Sequence, residues 1–89
     1  MVLADATVTG ADFSHTDLGG VSFDRLTIKG ASFKSSSLKR ASFAGATLQD
    51  VSFHHSDVKH ANFDGATMDK VTYALLKGAK ADLTSVKVV

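Results

Sequence analysis

Stepping by five from Leu3, the chain reads Val8, Phe13, Leu18, Phe23, Ile28, Phe33, Leu38, Phe43, Leu48, Phe53, Val58, Phe63, Met68 and Tyr73, each large and apolar. A helix cannot use this period, because five residues advance about 500° and carry the apolar positions around the cylinder. A flat strand cannot use it either, because its side chains alternate and residues five apart fall on opposite faces. Three extended residues followed by a corner can. A second, mostly small row runs two positions ahead of the first: Ala6, Ala11, Thr16, Val21, Leu26, Ala31, Ser36, Ala41, Ala46, Val51, Ser56, Ala61, Ala66 and Val71. Positions i−2 and i then point inward, i−1 points outward, and two polar residues turn the chain. Thr9-Gly10, Gly19-Gly20, Lys29-Gly30, Ala44-Gly45 and Asp64-Gly65 place turn-forming residues at the bend.

A slower period gives the shape. Phe13, Phe33, Phe53 and Tyr73 form one row at a spacing of twenty; Leu18, Leu38 and Val58 form the next. Phe23, Phe43, Phe63 and Leu83 make a third, and Val8, Ile28, Leu48, Met68 and Val88 a fourth. Four fives therefore make one coil of a β-helix in which like stacks on like. Thr7, Thr27, Thr47 and Thr67 keep the same register on the outside, as a ladder suited to cross-strand hydroxyl contacts. At about 4.8 Å per coil the body is expected to be roughly 20 Å long.

Units such as Ala11-Asp12-Phe13-Ser14-His15 and Ala61-Asn62-Phe63-Asp64-Gly65 resemble the pentapeptide-repeat family, whose repeats read small, Asp or Asn, Leu or Phe, polar, polar. The resemblance runs through residues 3–73 and resumes at Ala81-Asp82-Leu83. It implies an all-β fold, a right-handed quadrilateral β-helix of about four coils of 20 residues. The expectation is one domain over residues 1–89, regular over 3–73 and irregular in its last coil, 74–89.

Gly78 falls where a large inward residue belongs. Leu75 or Leu76 fills the gap, the corner loosens into a loop, or the last coil is incomplete; Leu76 swinging inward is the favoured reading. Thr16, Ser36 and Ser56 make one inner wall polar, and their hydroxyls are expected to bond backbone carbonyls across the corner. The coil ends pose the remaining difficulty, since solenoids need capping units or a partner. Tyr73, Leu75, Leu76, Leu83, Val86, Val88 and Val89 gather at the C-terminal end and form the candidate end-to-end interface. A homodimer through that coil end is expected, with a segment of a longer chain, or a Val86–Val89 tail folded over its own core, as the competing arrangements.

Composition narrows the chemistry. Cysteine is absent, which removes disulfides and thiolate metal sites. No apolar stretch approaches the roughly 18 residues of a membrane span. Met1-Val2-Leu3-Ala4-Asp5 lacks the basic and apolar regions of a signal peptide, so a cytoplasmic location is the default expectation. His15, His54, His55 and His60 are the obvious metal candidates, but His15 and His55 stand two coils apart, roughly 9–10 Å at the backbone. They are read as solvated surface residues, with no metal or cofactor expected. Ser14, His15 and Asp17 resemble a triad in composition only, and a filled core offers no cleft to hold a substrate. An enzyme is not expected.

Charge placement says more than charge count. Ten Lys and Arg against nine Asp, with no Glu, leave a net charge of +1. Folding the corners by twenty collects Lys39, Arg40, Lys59, His60 and Lys80 on one edge, with Lys34 on the neighbouring edge beside His15, His54 and His55. Together with Lys34 these residues form the candidate basic interaction edge. Lysines also keep β edges soluble, which is the plainer role. The expected function is a non-enzymatic protein-binding or scaffold module presenting flat faces to a protein partner. The family also contains DNA mimics that bind DNA gyrase or topoisomerase and confer antibiotic resistance; that alternative requires a strongly acidic surface, which this balance of charges does not provide. Direct binding of nucleic acid is disfavoured too, since no exposed aromatic accompanies the basic residues.

Overall fold

The computed structural model describes residues 7–89. Leu3 and Ala6 of the inward rows, and the segment read for a signal peptide, lie outside the described residues. Five short parallel strands form one sheet in the order β1 (Thr7–Thr9), β2 (Thr27–Lys29), β3 (Thr47–Gln49), β4 (Thr67–Met68) and β5 (Lys87–Val88). The register is twenty throughout: Thr7 pairs with Thr27, Thr27 with Thr47, Thr47 with Thr67, and Thr67 with Lys87. The other three sides are held by single parallel bridges, Asp12 to Ser32 to Ser52, Asp17 to Ser37 to Asp57, and Ser22 to Ser42 to Asn62. Four steps between five strands, at about 4.8 Å each, account for the shortest dimension of 21 Å. The chain is thus a β-helix solenoid built on parallel pairing between coils.

The core is filled by the two inward rows. Phe33, Phe43, Ile28, Leu38 and Leu48 are fully buried, and Ala31, Ala41 and Ala46 fill the smaller row beside them. Phenylalanines stack along the axis, with ring centroids 5.1 Å apart for Phe13–Phe33 and 5.2 Å for Phe33–Phe53. The opposite column repeats this at 4.8 Å for Phe23–Phe43 and 5.1 Å for Phe43–Phe63. Between the two columns the rings meet edge on, as for Phe33 and Phe43 at 5.8 Å. Offset stacks and edge contacts are the favoured arrangements of the ring quadrupole, and the coil spacing imposes both at once.

Corners are β-turns closed by backbone bonds: the Ala41 N–H donates to the Leu38 carbonyl at 3.0 Å and the Ala61 N–H to that of Val58 at 3.0 Å. Every fifth residue from Gly10 to Gly65 has a positive φ, and so does Lys80. Only five of these residues are glycine. His15, Arg25, Ser35, Arg40, Asp50, His55, His60 and Lys80 hold the same left-handed geometry with a side chain. Each such residue costs about 1–2 kcal/mol, offset by the ladder bonds on either side. The polar inner wall behaves as its residues suggest: Ser36 and Ser56 hydroxyls donate to the Phe33 and Phe53 carbonyls at 2.5 and 2.6 Å. Thr16 sits at the exposed end and donates instead to the Ser14 carbonyl at 3.0 Å.

The five-residue cycle, expected to persist through Tyr73, breaks at Lys70. Helix α1 (Lys70–Gly78) replaces two sides of the last coil and is, among the described residues, the one departure from an all-β architecture. Asp69 caps it from an extended backbone (φ −77°, ψ 166°), accepting the Thr72 N–H at 3.4 Å and the Thr72 hydroxyl. Ala74, Leu75, Leu76 and Lys77 are strong helix formers, whereas Gly78 at an inward position has nothing to bury. The helix turns Thr72 and Leu76, four residues apart, onto the core, and both are fully buried. Leu76 therefore fills the gap left by Gly78, from a helix rather than from a strand. Val71, expected in the inner row, is instead 66% exposed. The Val51 N–H is satisfied by the Thr72 hydroxyl at 3.3 Å, and the Asp50 N–H by Asp69 at 3.1 Å. After α1 the cycle resumes, with a Leu83–Val86 turn bond of 3.2 Å leading into β5.

Two predictions test this packing. Phe33→Ala or Phe43→Ala is expected to cost about 3–5 kcal/mol in urea denaturation, and exposed Lys34→Ala no more than about 0.5 kcal/mol. Burial opposes ionisation of Asp69, but the Thr72 hydroxyl and the Asp50 and Thr72 N–H groups outweigh it and hold its carboxyl below the usual 3.8. Because the folded-state pKa is the lower of the two, the stabilisation is complete above the unfolded value of 3.8 and is lost as pH falls through the folded one. Asp69→Ala is expected to cost about 1 kcal/mol at neutral pH. Asp69→Asn keeps a capping oxygen and should flatten the acid limb of the stability–pH curve, read by thermal melts from pH 6 down to about pH 2.

Candidate interaction edge

The basic edge is built by the corner that joins the Asp17–Ser37–Asp57 side to the Ser22–Ser42–Asn62 side. Ladder bonds stack its turns directly: the Gly20 N–H donates to the Lys39 carbonyl at 2.9 Å, and the Arg40 N–H to the Lys59 carbonyl at 3.0 Å. Lys39 thus lies one coil before Lys59, and Arg40 one coil before His60. Arg40, His60 and Lys80 all carry positive φ (60°, 60° and 63°), the geometry that carries each side chain off the corner.

Lys39, Arg40, Lys59 and His60 line an open depression of about 640 Å³ with Asp17, Gly19, Gly20 and Ser37. Lys59 and His60 also border a second depression of about 500 Å³ that reaches Lys80 and Asp82. One flank therefore gathers Lys39, Arg40, Lys59, His60 and Lys80. Lys34 is not among them: it stands on the adjacent corner, where its N–H donates to the Ser32 hydroxyl at 3.3 Å. The carboxylates of the edge are committed to turning the chain, Asp17 accepting the Gly19 N–H and Asp57 the Lys59 N–H, each at 3.0 Å. Asp57 also approaches Lys39 at 3.6 Å, the only ion pair among the described residues. Both partners are about half exposed, so the pair contributes at most about 1 kcal/mol.

Around the rest of the solenoid the outward-facing columns are short: Thr on the sheet as far as Thr67, before Lys87 in β5, and Ser, Asp or Asn on the other three sides. Short columns make flat faces. Among the described residues no three His, Asp or Glu side chains gather to hold a metal ion. His54 and His55 are adjacent but splayed, with ring centroids 6.5 Å apart. Ser14 bonds the Ser32 hydroxyl at 3.0 Å. Among the described residues no helix is long and apolar enough to cross a membrane.

At the C-terminal end the expected interface divides. Leu76 is fully buried and presents nothing to a partner, because α1 turns it onto the core. Tyr73, Leu75, Leu83 and Val86 are half-buried against the core, whereas Val88 and Val89 are 39% and 62% exposed. Val71, which the five-residue phase places inside, joins the exposed set; the helix that moves it there has no signature in that phase.

The family model for pentapeptide repeats matches residues 2–40 and 28–65, with 8 copies. A pentapeptide repeat protein from the cyanobacterium Cyanothece 51142 has a similar crystal structure, at a TM-score of 0.73 and 21% identity over 79% of this chain. This chain covers 48% of that one, about half its length. A pentapeptide repeat protein from Nostoc Pcc 7120 aligns over 99% of this chain and 80% of its own at 18% identity, with a TM-score of 0.41. No curated protein matches the sequence.

Proposed function

The chain belongs to the pentapeptide-repeat family, and on that premise we propose that it is a non-enzymatic binding or scaffold module whose flat faces and basic edge meet a protein partner. One observation carries the reading: the interior is filled by stacked side chains, so recognition falls to the outside. There the most distinctive feature is the flank of Lys39, Arg40, Lys59, His60 and Lys80. Charge of this kind contributes mainly orientation and association rate, which suits a rigid body that arranges other proteins. Right-handed winding in about four coils belongs to the same reading and is supported by family membership. The edge does not favour a DNA mimic that targets gyrase, because mimicry of a phosphate ladder needs the opposite sign.

The test is a pull-down from lysate of the source organism with the wild type and with Lys39, Arg40, Lys59 and Lys80 all changed to Glu. The substituted side chains are exposed, so thermal stability is expected to stay within a few degrees while bound protein is lost. Equal capture by both proteins would remove the edge from the interaction. Protection of gyrase from a fluoroquinolone in a supercoiling assay would favour the mimic instead.

A further inference from the structure

The two ends of the solenoid differ in charge and match in apolar character. At the β1 end, Val8, Phe13, Leu18 and Val21 remain partly exposed, although their equivalents one coil on, Ile28, Phe33, Leu38 and Ala41, are fully buried. With Phe23, Leu26 and Ile28 as floor they line a well of about 110 Å³ that has no polar wall. Asp12 and Asp17 face outward in the same coil, each directly before a lining residue, Phe13 and Leu18, and residues 7–20 contain no Lys or Arg. Hydrogen bonds from Ser14 keep the Asp12 carboxyl below its usual range, so it is charged at neutral pH.

At the β5 end the pattern inverts. Residues 70–89 carry Lys70, Lys77, Lys80 and Lys87 against the single carboxylate of Asp82. The exposed apolar residues there are Val71, Val88 and Val89. Among the described residues the single sheet runs β1 to β5, so the outer edges of β1 and β5 have no strand partner there and offer backbone donors and acceptors for pairing.

We propose that the chain binds a second copy of itself head to tail, the β5 end of one copy seated on the β1 end of the next. Joining β5 to β1 continues the ladder in the parallel sense already used between every pair of coils. It sets the lysine-rich end over Asp12 and Asp17 and covers the apolar well with the valines. The two-fold contact expected from the sequence, β5 end against β5 end, brings Lys77, Lys80 and Lys87 against their own copies. That arrangement carries a like-charge penalty and leaves the well open. A heterologous contact does not close on itself, so short rods form with rising concentration. The cross-section of 27 by 27 Å limits the contact to about 700 Å² a side, enough for a specific but reversible interface. The contact takes in Lys80 and Asp17 from the ends of the basic edge but leaves Lys39, Arg40, Lys59, His60 and the flat faces free, so it is separable from the binding role proposed above.

Sedimentation velocity of the full chain from about 5 to 500 µM tests it, the span being chosen for the micromolar affinity of a contact this small. Wild type is expected to shift to higher mass as concentration rises. Asp12→Lys with Asp17→Lys, and separately Lys87→Asp with Val89→Asp, should each weaken association by about tenfold or more, with far-UV dichroism confirming the fold. Mixing the two variants should restore assembly, since a native end then meets a native end and a reversed end a reversed one. A silent Asp12/Asp17 variant overturns the head-to-tail contact and points to a two-fold one through β5. A wild type that stays monomeric throughout overturns it outright. Association that appears only after removal of residues 1–6 overturns it as well, by assigning the well to the chain's own first residues.

Discussion

Pairing of each residue with the one twenty positions later is the constraint from which the rest of this structure follows. In a parallel ladder without stagger, whatever stands at position i is covered by whatever stands at i+20. Phe33 sits between Phe13 and Phe53, and Phe43 between Phe23 and Phe63, at 4.8–5.2 Å. A ring inserted into an aliphatic column would have no stacked neighbour and would crowd the opposite wall. The same rule acts outside, where Thr7, Thr27, Thr47 and Thr67 align by necessity. Each coil adds its own burial and one more interface, so a chain of only 89 residues completes a dry core.

The constraint also decides where function can reside. Inward positions are spent on packing and the central outward positions on short side chains. Before α1 only the two corner residues of each unit carry long charged groups; Lys87, at the end of the threonine column, is the exception after it. The corner backbone is held by the ladder and the turn bond, which is why Arg40, His60 and Lys80 occupy left-handed conformations that glycine would adopt without cost. Because corners stack, a preference at one becomes a stripe along an edge. Lys39, Arg40, Lys59, His60 and Lys80 form such a stripe, and its flanking carboxylates Asp17 and Asp57 accept turn N–H groups, with Asp57 alone also pairing with a cation of the stripe, Lys39. Among the described residues the rule also lapses at the first and last coils, which are paired on one side only.

Most of this was legible in the residues because two periods, five and twenty, act on every position at once. The phenylalanine columns, the threonine ladder and the shared flank of Lys39, Lys59 and Lys80 all follow by counting. Helix α1 did not, because Tyr73 stays in phase and Val71 resembles the inner row, while the deciding signals are local. Asp69 and Thr72 form a cap, four good helix formers follow, and Gly78 cannot fill an inward site. Position-by-position periodicity is blind to such a switch, and the burial of Leu76 was reachable only through the gap it fills. The left-handed corners without glycine were hidden for a related reason: tertiary pairing, not residue type, sets φ there. The identity of a partner is not written in any period, since the corners that carry it are those the fold leaves free.

The most direct test of the stacked register is to duplicate one full coil, residues 31–50, in place and measure urea unfolding at equilibrium. A register of twenty predicts a longer solenoid that unfolds in one transition at higher denaturant than wild type. Its m-value should also be larger, because more surface is exposed on unfolding. An equal or lower midpoint, as an insertion into an ordinary globular core would give, would contradict the twenty-residue stack on which the account rests.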